Sequence, residues 1–60
     1  MTYIQALKKL IAHLEERVNR NVVDIQLAAD KPIDGRWKFF VSYDDEYEDN
    51  MDVIYIKDVA

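Results

Sequence analysis

Sixty residues with no cysteine and a formal net charge of −4 bound a single domain, residues 1–60, with no disulfide and no thiolate metal site. Half the residues are apolar and a third are charged, which is a globular rather than a disordered composition, and no apolar run is long enough to span a membrane. The charge is unevenly placed: residues 1–41 carry seven Lys/Arg and five Asp/Glu, a net of +2, whereas residues 42–60 carry one Lys and seven Asp/Glu, a net of −6.

A chain of this size buries only roughly 60% of its unfolded surface. Without a staple, further stability is expected from a second copy or a partner. No apolar stretch follows a basic start, so no signal peptide is expected and the location is read as cytoplasmic.

Thr2 and Gln5 are spaced as a capping box, in which each side chain satisfies a free amide of the other at a helix start. Tyr3, Ile4, Leu7, Leu10, Ile11, Leu14 and Val18 then recur at three- and four-residue spacing and share a stripe roughly 120° wide on a helical projection. Lys9, Ala12 and Glu16 fall opposite, and Glu16 with Arg20 has the favourable i,i+4 orientation. Asn19 and Asn21 tolerate the left-handed conformation that ends helices. A helix is expected at about residues 2–19.

The period then changes to two. Val23, Ile25, Leu27 and Ala29 alternate with Asp24, Gln26 and Ala28, the pattern of a half-buried strand with the first set inward. Residues 31–35 hold the only Pro and the only Gly of the chain and form a turn. Trp37, Phe39, Val41 and Tyr43 alternate with Lys38, Phe40 and Ser42 as a second strand. A third strand is expected over residues 53–59; its facing is open, and Ile54 and Ile56 are favoured inward over Val53 and Tyr55, so that Tyr55 and Lys57 keep their polar tips in water. Short connections pair consecutive strands as hairpins. An eighteen-residue helix and an eight-residue strand are both about 27 Å long. The expected fold is α+β: a single N-terminal helix packed on one face of a three-stranded antiparallel β-meander (αβββ), with Leu7, Leu14, Trp37 and Phe39 in the core.

One helix covers one sheet face. The other face is expected to carry Val22, Asp24, Gln26, Ala28, Lys38, Ser42 and Lys57, with Phe40, Val53 and Tyr55 as an apolar patch suited to a second interface, such as a homodimer contact.

Residues 44–52 read Asp44-Asp45-Glu46-Tyr47-Glu48-Asp49-Asn50-Met51-Asp52, six acids in nine positions. A calcium loop of the EF-hand type needs a central Gly and a terminal Glu, and this segment has no Gly. As a solvated hairpin loop, the acids would discourage the adjacent strand edges from pairing with strangers. Clustered like charges also repel one another, a cost that a plain turn does not carry. The interleaved Tyr43, Tyr47 and Met51 add the desolvated anchors that protein contacts use. Tyr43, Asp44, Asp45, Glu46, Tyr47, Glu48, Asp49 and Asp52 are therefore the candidate partner-binding residues, and a basic protein surface is the expected partner.

Catalytic chemistry is sparse. His13 is the only histidine and lies on the helix flank; Thr2 and Ser42 are the only aliphatic hydroxyls, with no base near either in sequence; Gly35 stands alone, so no phosphate-cradling glycine loop can form. No enzyme activity, metal or cofactor is expected. Direct nucleic-acid binding is disfavoured by the acidic segment, which repels phosphate.

A tiny, cysteine-free, acidic αβ domain with the run Asp44-Asp45-Glu46-Tyr47-Glu48-Asp49 resembles the small phage-encoded inhibitors of host machinery. These include anti-CRISPR proteins and DNA-mimic inhibitors of restriction enzymes or of uracil-DNA glycosylase. The resemblance implies carboxylates standing where phosphates would sit, occupying the basic groove of a nuclease or other nucleic-acid-binding protein in the host cytoplasm. The acids sit on one segment rather than along the fold, which suits a short plug better than the mimicry of a long duplex.

Overall fold

The structure, a computed structural model, describes residues 1–44 and 50–58. Helix α1 runs Tyr3–His13, and one wider turn, Leu14–Val18, extends it. The start is the expected capping box: the Gln5 amide donates to Thr2 Oγ1 (3.2 Å) and the Thr2 amide to Gln5 Oε1 (2.9 Å). The end is set by Asn19, which is left-handed (φ 52°, ψ 40°) and donates its amide to the Leu14 carbonyl at 3.2 Å. That five-residue step widens the last turn, and Asn accepts the positive φ at lower cost than a β-branched residue would.

Strands β1 (Val22–Leu27), β2 (Arg36–Tyr43) and β3 (Met51–Lys57) form an antiparallel sheet in the order β1-β2-β3. The architecture is the expected αβββ meander under one helix. Asp34 and Gly35 both have positive φ (54° and 73°), and Ile33 and Arg36 exchange backbone hydrogen bonds on either side of them. This is the mirror-image two-residue turn whose twist suits a hairpin.

The core is Ala6, Leu10 and Leu14 from the helix against Trp37, Phe39, Val41 and Tyr43 from β2. Leu7, Val22, Ile25, Leu27, Ile54 and Ile56 pack against it half-buried. Ile54 and Ile56 thus face inward as the sequence suggests. Two corrections concern β1. The register jumps from Val22↔Tyr43 to Asp24↔Ser42, so Val23 is the extra residue of a bulge. Val22, expected outside, packs on the core, and Val23, expected inside, is 59% exposed.

The helix is also rotated relative to its apolar stripe. It buries Ala6, Leu10 and Leu14 and leaves Ile4 and Ile11 exposed, while Leu7, expected in the core, lines its edge. Tyr3 is partly exposed but stacks its ring near Trp37 (6.4 Å between centroids) and Phe39 (6.3 Å). The backbone of α1 comes closest to β3. On the β1 side a groove of about 450 Å³ stays open, lined by residues that include Ile11, Leu14, Val22 and Ile25.

Candidate functional site

Among the described residues, Asp24, Asp44 and Asp52 lie at the end of the sheet where β2 leads toward β3. The Tyr43 amide donates to the Asn50 carbonyl (2.8 Å), and the Asp44 amide donates to the Asn21 carbonyl (2.8 Å). Asn21 Nδ2 donates back to the Asp44 carbonyl at 3.3 Å. The root of the acidic segment is thereby tied both to β3 and to the turn that leaves the helix. Of the candidate partner-binding residues, Asp45, Glu46, Tyr47, Glu48 and Asp49 lie outside the described residues.

The remaining candidates divide. Asp44 is exposed, with Asp24 exposed two residue rows away on the same end of the sheet. Tyr43 is buried, only 4% exposed, with the Arg20 guanidinium 3.9 Å above its ring centroid. It is a core residue whose inward position follows from β2 alternation, so its ring is not an exposed anchor. Arg20 lies beyond the helix end, on that ring, rather than in a helical i,i+4 position with Glu16. Asp52 and Met51 belong to β3, not to a loop. Asp52 pairs across from Val41 on the helix-covered side, and its carboxylate accepts from the Val53 amide (2.9 Å) and from the Tyr43 hydroxyl (3.5 Å). These contacts hold an acid in a strand, where its intrinsic preference is poor.

The second candidate surface is the uncovered face of the sheet. The register brings Phe40 opposite Val53, Lys38 opposite Tyr55, Ser42 opposite Met51 and Arg36 opposite Lys57. Phe40, Val53 and Tyr55 are together there, as expected. Met51, 60% exposed, completes the apolar strip; its place follows from β3 starting two residues earlier than the sequence suggested. Two cations lie against its aromatic rings: Arg36 Cζ is 4.5 Å from the Tyr55 centroid, and Lys38 Nζ is 5.3 Å from that of Phe40.

Among the described residues, no three or more His, Asp or Glu side chains gather as a metal site, and no helix is long and apolar enough to cross a membrane. His13 is exposed on the helix. No family model, curated protein or solved structure matches this chain.

Proposed function

We propose that this protein is a non-enzymatic inhibitor or adaptor whose acidic segment, residues 44–52, engages a basic, nucleic-acid-binding surface of a partner protein in the cytoplasm, in the manner of anti-CRISPR or DNA-mimic inhibitors. The observation that carries the reading is charge placement. Seven of twelve acids fall within the last nineteen residues, and the segment holding six of them leaves and re-enters the sheet at one pinned end. Exposed Asp44 and Asp24 add charge there and Met51 adds an apolar contact beside it. Such a surface steers toward a positive groove and should bind less well as salt rises.

The test starts from a host lysate fraction that binds heparin, passed over the immobilised protein. Wild type should retain a component that salt or duplex DNA displaces. A variant with Asp45, Glu46, Glu48 and Asp49 changed to Ser should keep its circular dichroism spectrum and retain nothing. Equal retention by the variant would discard the reading.

A second reading, self-association through the uncovered sheet face, is favoured by one specific feature. Phe40, Met51, Val53 and Tyr55 form a contiguous apolar strip that no element among the described residues covers.

A further inference from the structure

The uncovered face is bipolar. At one end Arg36 and Lys57 sit directly opposite each other, with Lys38 two residues along β2. Like charges directly across a strand pair are unfavourable, and among the described residues no ion pair neutralises these three. At the other end of the same face lie Asp24 and, continuing β2, Asp44. The apolar strip of Phe40, Met51, Val53 and Tyr55 runs from the Arg36–Lys57 row toward Asp44, with Lys38 beside Tyr55 and Asp24 in the row of Met51. A surface ordered cation–apolar–anion is complementary to its own inverted copy.

Resting on the self-association reading, we infer that this face takes a second copy of the chain, face to face and with the strands antiparallel. The two-fold axis then runs across the strands. With the axis placed over the row that pairs Phe40 with Val53, the register assigns the contacts. Phe40 meets Phe40 of the second copy, Met51 meets Tyr55, Ser42 meets Lys38, and Asp44 meets Arg36. The Met51–Tyr55 contact is of the favourable sulfur–aromatic kind. The parallel alternative places cation over cation and acid over acid, so charge selects the antiparallel one. Packed sheets cross at about 30°, which loosens these pairings toward the corners and preserves the polarity.

The size of the face sets the strength. Three strands spaced about 4.8 Å and seven residues long offer a plane of roughly 14 by 23 Å. That is well short of the roughly 800 Å² per partner of a stable complex. The dimer is therefore a weak, concentration-dependent one, in which the end charges decide orientation.

The experiment is sedimentation equilibrium from micromolar to millimolar protein at low and high salt. Wild type should self-associate at low salt and less so at high salt. Asp44→Arg and Arg36→Asp should each weaken association roughly tenfold, because the symmetry counts every change twice. Mixing these two variants should restore it, since each heterodimer contact again pairs an acid with a base, and circular dichroism checks that both remain folded. If wild type associates and Phe40→Asp abolishes this, but the mixed variants are no stronger than each alone, the antiparallel arrangement is overturned while the sheet-face reading stands. A wild type that stays monomeric to millimolar concentration overturns both. Tight binding of a single-stranded oligonucleotide at low salt, lost in Arg36→Asp, would assign the cationic end to nucleic acid and overturn the proposal as well.

Discussion

Phe39 and Phe40 are neighbours in sequence and lie on opposite faces of β2, so paired truncations test the facing of the whole sheet. Phe39 has no exposed surface; Leu27 and Ile54 flank it across the two ladders, and Tyr3 stacks 6.3 Å away. Truncation to Ala removes a ring from a closed site, a change that costs about 3–5 kcal/mol. A 60-residue domain at 0.05–0.15 kcal/mol per residue has about 3–9 kcal/mol in all. Phe39→Ala should therefore lose between a third and the whole of the stability. Phe40 is half-buried, between Gln26 and Val53 on the uncovered face. Phe40→Ala should cost about 1 kcal/mol or less. Urea unfolding followed by Trp37 fluorescence and by circular dichroism gives both values, with protein dilute enough to exclude self-association. Equal losses, or a larger loss at Phe40, would mean that the helix covers the other face and would refute the packing described above.

Gly35 has φ +73° with open space where a Cβ would stand, so Gly35→Ala should cost about 1 kcal/mol through backbone strain alone, readable as a shift in the urea midpoint. The bulge predicts that Val22→Ala destabilises by about 1 kcal/mol while Val23→Ala stays within about 0.5 kcal/mol; the reverse order would restore simple alternation along β1. Changing Asp45, Glu46, Glu48 and Asp49 to Ser should leave the thermal midpoint unchanged or slightly higher at low salt, because it relieves like-charge repulsion. A strongly lowered midpoint would make those acids structural and remove the main support for a partner-binding role.

The order and type of elements were legible because the period of the apolar residues changes once, from three-and-four to two, near Asn19. Facing was legible where alternation is unbroken, as from Trp37 to Tyr43. It failed at Val22-Val23, where two identical β-branched residues carry no parity signal and the bulge decides. Ala6 does not stand out in sequence as a core residue because its side chain is small, although the run Ala6, Leu10, Leu14 is a strict i,i+4,i+8 line. That line, not the centre of the wider stripe, is what the sheet buries, and Ile4 and Ile11 are left outside. Asp52 reads as loop by propensity, yet it is in β3, supported by the Val53 amide and the Tyr43 hydroxyl. Its tertiary contacts override a weak local preference. By sequence Tyr43 fits both a strand core residue and an anchor; burial decides for the first.

The two proposed interaction surfaces share one end of the molecule, and this couples them. Asp44 belongs to the acidic segment and to the proposed antiparallel contact with Arg36 of a second copy. A basic partner that takes the acidic end therefore removes the charge that orients the dimer. In the other direction, dimerisation lowers the negative potential available to the partner. Binding linkage makes this competition reciprocal: the factor by which partner weakens dimer equals the factor by which dimer weakens partner. Salt separates the two effects. It weakens both contacts, but the apolar strip of Phe40, Met51, Val53 and Tyr55 retains its share of the dimer, whereas the acidic segment has only Tyr47 and Met51 beside its charges. Raising salt at fixed protein should therefore release the partner before it dissociates the dimer. Adding a short polycation at low salt should dissociate the dimer directly, and the effect should fade as salt rises.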